Sequence, residues 1–235
     1  MSDANNQLFE IPGTPLVPVK GETASYPVHR VFCVGRNYAA HAAEMGHEVD
    51  RQTPFYFTKP ASATVLSGAK IAYPPSTSNY HFEMELVVAI GAPAFKVSVE
   101  DAPAAIYGYA TGLDMTRRDL QLIAREKGRP WDLGKAFEQS AIIAEITKAK
   151  EFGEVGPQRI SLKVGEDTRQ DALLSDLVWK IPELISHLSG FYHLLPGDLI
   201  YTGTPAGVGP VLAGENIVGE IEGLAPVLLD ILDAE

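Results

Sequence analysis

Cysteine is almost absent from this 235-residue sequence, in which Cys33 stands alone. A single thiol cannot close an internal disulfide, and together with six histidines it offers neither a disulfide scaffold nor a Cys/His zinc site. The lack of disulfides is typical of a reducing compartment. We therefore expect a cytoplasmic protein whose stability comes from a hydrophobic core.

Positive charge is also scarce, because 19 Lys and Arg residues face 30 Asp and Glu residues, for a net charge of −11. Such a chain is repelled by nucleic-acid phosphates and by anionic membrane surfaces, so neither is an expected partner. No apolar run approaches the ~20 residues that cross a bilayer, and the first residues lack the basic and apolar regions of a signal peptide. The remaining composition, 46% hydrophobic and 21% charged, suits one globular domain with a sizeable core.

The distribution of proline and glycine divides the chain into an arm and a domain. Four prolines before position 28 disfavour helix, so residues 1–27 are predicted to form an extended N-terminal arm and residues 28–235 a single domain. Short β-branched and aromatic runs that stop at glycine alternate with few helical patterns, which indicates a mixed α/β, β-dominated fold. Strands are predicted over 28–35, 54–60, 81–90 and 104–114, and helices over 37–46, 116–127 and 182–189.

Glu83 and Glu85 lie two positions apart in an otherwise apolar strand pattern. Because side chains alternate along a strand, both carboxylates project from the same face, while Phe82, Met84 and Leu86 pack into the core from the other. The glutamates must then face either water, as in a solvated edge strand, or a compensating charge such as a divalent cation.

Asp114 directly follows an apolar run and is the third acidic candidate. A carboxylate at a strand end can meet the carboxylates of another strand, and three hard oxygen ligands without Cys or His select Mg²⁺, Mn²⁺ or Ca²⁺. The alternative is that Asp114 caps the helix predicted after it.

His41 and Glu44 lie three residues apart on the first predicted helix, so their side chains share one face. In such a pair the glutamate fixes the imidazole tautomer and stabilises the imidazolium that forms when His41 takes a proton from water. The alternative is an ordinary surface His/Glu pair.

Two further segments carry groups that can bind anions. The glycine-rich loop 203–210 follows a strand and offers backbone N–H groups and the Thr204 hydroxyl, although it has neither the Walker pattern nor a following helix, and a tight turn is the alternative. Lys135 lies in an apolar, aromatic context where burial requires an anion, either a bound substrate or the acidic cluster.

The order of these segments resembles that of the fumarylacetoacetate hydrolase superfamily, especially its short acylpyruvate hydrolases. The resemblance extends over about residues 28–232. It depends on the runs GRNY at 35–38 with His41 and Glu44, FTKP at 57–60, EME at 83–85, GLDMT at 112–116, RDLQ at 118–121, Lys135, LPGD at 195–198 and GTPAGVG at 203–209. Residues 128–132 are most similar to the bacterial members that cleave fumarylpyruvate in gentisate breakdown.

The resemblance implies a fold, a metal site and a set of catalytic residues. The fold would be a β-roll of mixed sheets in a homodimer, with Mg²⁺ or Mn²⁺ on Glu83, Glu85 and Asp114. The catalytic residues would be His41 and Glu44, on a segment over 36–52 that closes as a lid, together with Lys135. Substrate-binding positions would be Arg36, Arg118, Gln121 and Thr204, with Arg118 or Arg36 on a far carboxylate.

The activity implied is metal-dependent hydrolysis of the C–C bond of a 2,4-diketo acid, such as fumarylpyruvate to fumarate and pyruvate. The main alternative is a decarboxylase or isomerase that acts on a related 2-oxo acid, such as oxaloacetate, at the same metal. A non-catalytic dicarboxylate-binding protein is the alternative from another class, and the presence of every catalytic residue type argues against it.

Overall fold

The computed structural model describes residues 8–44, 51 and 53–235, and its central feature is an eight-stranded mixed sheet. Its strands in chain order are β3 (Arg30–Gly35), β4 (Phe55–Lys59), β5 (Thr64–Leu66), β8 (Met84–Ile90), β9 (Ile106–Asp114), β11 (Ala141–Ile143), β12 (Thr147–Lys148) and β15 (Asp198–Tyr201). Their order across the sheet is β4-β3-β15-β8-β9-β11-β5, and β12 pairs with β9. β15 joins β3 in parallel and β8 in antiparallel fashion.

Three smaller sheets surround the central one. A five-stranded sheet, in the order β14-β13-β17-β18-β6, contains β6 (Ala69–Ala72), β13 (Arg159–Val164), β14 (Asp167–Leu173), β17 (Asn216–Ile221) and β18 (Val227–Leu232). A three-stranded sheet, in the order β10-β7-β16, contains β7 (Tyr80–Phe82), β10 (Thr116–Arg117) and β16 (Gly209–Pro210). In the arm, β1 (Leu16–Val17) pairs with β2 (Tyr26–Pro27).

The helices in the described part of the chain are short and connect the sheets. They are α1 (Ala39–Glu44), α2 (Arg118–Glu126), α3 (Asp132–Lys135), α4 (Ala149–Phe152) and α5 (Ile181–Ser189), with 3₁₀ turns at Ala61–Ala63, Ala102–Ala105 and Leu174–Asp176. None of them is long and apolar enough to cross a membrane. The predicted β-dominated mixed fold is confirmed, with 39% strand and 18% helix.

The core lies on both faces of β8, and this explains why the strand is apolar at nearly every position. Met84, Leu86 and Val88 pack into the larger hydrophobic cluster, whereas Val87 and Ala89 pack into a second cluster beneath β3 and β15. A strand covered on both faces reads as a continuous apolar run. The prediction that even-numbered residues pack into the core is correct, but the glutamate face is also buried and is not a solvated edge.

The structure corrects several predicted elements. The strand predicted over 81–90 is two strands, β7 and β8, which break at Glu83 and belong to different sheets. The helix predicted over 116–127 begins at Arg118 after the short strand β10, so Asp114 ends β9 instead of capping a helix. The single-turn helix α4 was not predicted, because four residues carry too little periodicity.

Asn37 is the first residue of the helix predicted over 37–46, but α1 begins at Ala39. Its amide instead donates to the carbonyls of Thr202 at 2.8 Å and Trp179 at 3.1 Å, and accepts from the Trp179 N–H at 2.7 Å. The fully buried Asn37 side chain therefore ties the entrance of α1 to the end of β15.

Candidate metal centre and catalytic cleft

The three carboxylates identified in the sequence meet at the end of the β8–β9 hairpin. Antiparallel register places Glu85 opposite Gly112, and the Asp114 N–H donates to the Glu83 carbonyl at 2.9 Å, so Glu83 and Asp114 lie across from each other. One ligand oxygen from each of the three carboxylates lies within 4.8 Å of the others. The register of the hairpin thus brings Asp114 to the glutamates.

Burial and neighbouring charges act differently on the two glutamates. Burial alone would raise the pKa of Glu83, but the charges of Lys135 and Arg118 outweigh it and hold the pKa below its ordinary value. Burial, followed by the charges of Asp114 and Glu83, raises the pKa of Glu85 well above its ordinary value. Among the described residues, no Lys, Arg or His lies within ion-pair distance of Glu85, which accepts one hydrogen bond, from the Gly203 N–H at 2.8 Å.

Two buried lysines neutralise the other two carboxylates. Lys135 Nζ lies 2.8 Å from Glu83 Oε2 and 2.7 Å from Asp114 Oδ2, and donates to Thr116 Oγ1 at 2.6 Å. These two carboxylates outweigh the effect of burial and raise the pKa of Lys135. Lys59 Nζ lies 2.9 Å from Asp114 Oδ1 and donates to the Met115 and Lys135 carbonyls. Of the two anions that the sequence left open for Lys135, the acidic cluster is the one in contact.

The donor set fits a hard divalent cation. Asp114 Oδ1 accepts no hydrogen bond of good geometry from the described residues, and Glu85 is a buried carboxylate without a paired cation there. A divalent ion bound to Asp114 Oδ1 and to Glu85 would give that oxygen a partner. The same ion would favour the ionised form of Glu85. Three carboxylate oxygens without sulfur or imidazole are the ligands that Mg²⁺ and Mn²⁺ prefer.

Arg118 and Gln121 form one wall of the site from the first turn of α2. Arg118 Nη2 donates to Glu83 Oε1 at 2.5 Å, Nη1 donates to the Gln121 side-chain oxygen at 2.5 Å, and Nε donates to His81 Nδ1 at 3.4 Å. Burial and then the Arg118 charge lower the pKa of His81 to about 4, so this imidazole is a neutral acceptor near pH 7. The Arg118 guanidinium is therefore already committed to protein partners.

His41 and Glu44 form the expected pair on α1. His41 Nδ1 lies 3.3 Å from Glu44 Oε2, and the imidazole is buried whereas the carboxylate is exposed to 39%. The Gly207 N–H donates to both Glu44 oxygens, at 3.3 and 3.2 Å. Bonding at Nδ1 leaves Nε2 as the nitrogen that can exchange a proton with a ligand.

The glycine-rich loop binds the chain's own carboxylates, which the sequence did not reveal. Gly203 donates to Glu85 and Gly207 to Glu44, and both have positive φ, 99° and 92°. A Cβ at Gly207 would lie 2.0 Å from the Arg169 carbonyl oxygen, so no larger residue fits there. Thr204 Oγ1 accepts a hydrogen bond from Gln170 Nε2 at 2.8 Å.

Gln170 is a positioning residue that sequence reasoning missed. Its side chain is buried, and it accepts from the Met84 N–H at 3.0 Å while it donates to Thr204 and the Pro205 carbonyl. It thereby joins the segment between the two glutamates to the glycine-rich loop. Gln170 lies in the mostly exposed strand β14, so the sequence does not indicate that it is buried. Lys59 was also missed, although a single cation in the aromatic strand β4 does indicate a buried charge.

One cleft, called here the inner cleft, brings most of the predicted residues together. Two predicted residues do not line the inner cleft. Asp114 is fully buried, and Glu44 contacts His41, which does line it. The predicted residues that line the cleft are Arg36, His41, Glu83, Glu85, Arg118, Gln121, Lys135 and Thr204. Part of the segment predicted to close as a lid, residues 45–50 and 52, lies outside the described residues.

Comparisons with known proteins agree with this geometry. Residues 30–230 match the model of the fumarylacetoacetate (FAA) hydrolase C-terminal family. A fumarylpyruvate hydrolase of Ralstonia sp. is 54% identical over 81% of this chain and 100% of its own length. An oxaloacetate tautomerase of Escherichia coli is 38% identical over 87% of this chain and 93% of its own length.

The structural comparison gives the same result. The crystal structure of a fumarylpyruvate hydrolase from Pseudomonas aeruginosa in complex with Mn²⁺ and pyruvate superposes with a TM-score of 0.93 at 46% identity. The match covers 97% of this chain and 100% of that one.

Proposed function

The chain belongs to the fumarylacetoacetate hydrolase family, and from this premise we propose that it hydrolyses the C–C bond of a 2,4-diketo acid, cleaving fumarylpyruvate to fumarate and pyruvate. One observation carries the proposal: three buried carboxylates and a His–Glu pair meet at one cleft. The relative that cleaves fumarylpyruvate is also more similar in sequence, at 54%, than the tautomerase at 38%.

Glu83, Glu85 and Asp114 would hold the divalent ion. When bound, Mg²⁺ or Mn²⁺ supplies a Lewis acid for the carboxylate and adjacent keto oxygens of a 2-oxo acid. Lys135 and Lys59 neutralise Glu83 and Asp114, which keeps those carboxylates ionised inside the protein. The Gly203 N–H orients Glu85.

His41 is the proposed general base. Glu44 holds Nδ1, so Nε2 removes a proton from a water molecule, and the hydroxide attacks the carbonyl carbon farther from the pyruvate carboxylate. The bond between that carbon and the pyruvate methylene then breaks, and its electron pair passes into the enolate of pyruvate. The proton on His41 returns to the enolate carbon, so one water is consumed for each fumarate and pyruvate formed.

Lys135 and the substrate-facing polar groups act on the charge that develops. The Lys135 ammonium, raised in pKa and therefore charged, stabilises the enolate. Gln121 and Thr204 both line the inner cleft and donate to the oxygens of the pyruvate half. Arg118 fixes Glu83 and Gln121, and Arg36 lies at the cleft entrance.

The test is an assay of the purified chain on three substrates, fumarylpyruvate, acetylpyruvate and oxaloacetate. We expect metal-dependent loss of the diketone absorbance with the first two, abolished by chelation and restored by Mg²⁺ or Mn²⁺. Tautomerisation of oxaloacetate without C–C cleavage of either diketo acid would reject the hydrolase in favour of the isomerase alternative.

The role of His41 has its own matched control. His41→Gln is expected to lower kcat for diketo-acid cleavage by about 10²- to 10⁴-fold, the usual contribution of a general base, while Mg²⁺ binding stays intact. His193→Gln removes a histidine that stacks on Phe95 away from the cleft, and should leave kcat unchanged. Equal rates in the two variants would contradict the dyad.

We also propose that the enzyme is a homodimer of the reducing cytoplasm, and that residues 28–235 form one catalytic domain preceded by the arm. The buried, unpaired Cys33 supports a reducing location. The arm is anchored, because Val17 and Tyr26 are buried and the Tyr26 hydroxyl lies 2.8 Å from the carbonyl oxygens of both Ile90 and Asp198, which share its one proton. Sedimentation equilibrium gives the oligomeric state, and a monomeric mass would reject the dimer.

A further inference from the structure

A second cavity, called here the outer chamber, opens beside the inner cleft. The two share the lining residues Gly35, Arg36, Arg125 and Trp131, so the outer chamber directly adjoins the cleft that contains the carboxylates. Arg129 also lines the outer chamber. Among the described residues, this lining contains three arginines and no Asp or Glu, in a chain whose net charge is −11. The chamber is therefore suited to an anion.

Helix α2 sets the distance between the carboxylate cluster and this chamber. Arg118, Gln121 and Arg125 lie three, four and seven positions apart and all line the inner cleft, so they share one helix face. At 1.5 Å per residue, Arg125 lies about 10 Å along the axis from Arg118. An extended seven-carbon chain spans about 7 Å between its terminal carboxylate carbons, estimated from extended-chain bond lengths. A linear dianion whose near end binds at the metal centre can thus reach Arg125 with its far carboxylate.

Arg118 is not the group that receives this second carboxylate. Its three nitrogens already donate to Glu83, Gln121 and His81, and the side chain is only 4% exposed. Arg36 and Arg125 are exposed to solvent and line both cavities. Between the cluster and these arginines, Phe57 and Trp131, with ring centroids 5.8 Å apart, supply an aromatic wall for the planar middle of a conjugated substrate.

We propose that the outer chamber binds the far carboxylate of a dicarboxylic 2-oxo acid, and that Arg125, with Arg36 and Arg129, selects dianionic over monoanionic substrates. This inference depends on the proposed function, because the near end of the ligand is taken to bind at the metal centre. It assigns specificity to residues outside the catalytic groups. A substrate of the same length that ends in a methyl group would lose this interaction.

The test uses two acids that the enzyme cannot cleave, 2-oxopimelate and 2-oxoheptanoate, which have equal length and differ only in the far carboxylate. Their dissociation constants are measured by calorimetry with saturating Mg²⁺ at low ionic strength. We expect the diacid to bind about 10-fold more tightly, the usual gain from a charge-assisted hydrogen bond on an accessible site. Arg125→Gln should reduce this ratio about 5-fold or more, and added salt should also reduce it.

Lys127→Gln is the matched control, since it removes one positive charge from the end of α2 at a residue that lines neither cavity. It should leave the ratio within 2-fold of the parent. A parent ratio near 1, or an unchanged ratio in Arg125→Gln, Arg36→Gln and Arg129→Gln, would overturn the inference even if fumarylpyruvate is cleaved. If neither acid binds, both the inference and the binding of 2-oxo acids at the metal centre are rejected. If the diacid binds selectively but fumarylpyruvate is not cleaved, only the proposed hydrolase activity is rejected.

Discussion

Lys59 shows how much a single buried charge contributes to the site. Its side chain is fully buried and forms an ion pair with the equally buried Asp114. Lys59→Met keeps the volume but leaves the carboxylate with one cation fewer, so the free energy of unfolding without metal should fall by about 3–5 kcal/mol. Mg²⁺ should bind more tightly to the variant, because a competing positive charge is gone. Urea unfolding with and without Mg²⁺ measures both effects.

Lys163 in β13 provides the comparison for that substitution. It is an exposed lysine in a strand, so Lys163→Met should change the free energy of unfolding by no more than about 0.5 kcal/mol. A similar loss in the two variants would mean that the Lys59–Asp114 pair has no special contribution.

Arg36 carries backbone strain at the entrance of the cleft. Its φ of 59° lies in the left-handed region, which costs a residue with a side chain about 1–2 kcal/mol. Arg36→Gly should therefore be more stable than Arg36→Ala by about 1 kcal/mol, although both lose the guanidinium from the outer chamber. Guanidinium chloride unfolding of the two variants checks the difference, and equal midpoints would mean that the strain is absent.

At the scale of elements, Gly112 is a position where β9 packs tightly between its neighbours. A Cβ there would lie 2.5 Å from Val87 Cγ2 and 3.0 Å from the Ile142 carbonyl oxygen. Gly112→Ala should force β9 away from β8, costing about 1–3 kcal/mol of stability, and weaken Mg²⁺ binding because Asp114 follows two residues later. At Gly209 the nearest atom to a new Cβ would be Phe82 Cζ at 3.5 Å, so Gly209→Ala should be tolerated. Thermal unfolding and Mg²⁺ titration compare the pair.

The elements themselves were partly predictable. Alternating or continuous apolar runs located β4, β8, β9 and α5, because burial leaves its pattern in the residues of each strand or helix. The break at Glu83 was not predictable, since the same alternation continues through 81–84 on both sides of it. Which sheet each half joins depends on partners far away in sequence, such as Gly209 for Phe82.

The candidate metal centre and catalytic cleft were also only partly predictable from the sequence. Glu83, Glu85 and His41 with Glu44 could be proposed from spacing, because two residues on a strand or three on a helix determine a shared face. Asp114 joins them through the β8–β9 register, and the whole set was recognisable as a constellation only through its likeness to a family. The contacts of Lys59 and Gln170 depend on tertiary packing and have no local pattern.

At the scale of the whole molecule, the central sheet combines pairings of very different sequence separation. β8 and β9 are neighbours along the chain, whereas β3 pairs with β15. Because closing a longer loop costs more entropy, refolding should protect the backbone amides of β8 and β9 before those of β15, whose partners β3 and β8 are both distant in sequence. Pulse-labelling hydrogen exchange during refolding measures this order, and simultaneous protection of all three strands would contradict it.

The position of β15 between β3 and β8 also has a consequence for the order of synthesis. As the nascent chain leaves the ribosome, the hairpin that carries Glu85 and Asp114, two of the proposed metal ligands, is complete early. β3, the strand that leads to His41, emerges before the other strands of the central sheet, yet one of its two edges has no partner until residues 198–201 are made. We therefore expect the two halves of the catalytic site to be united only near the end of translation, with an open β3 edge exposed to other nascent chains until then.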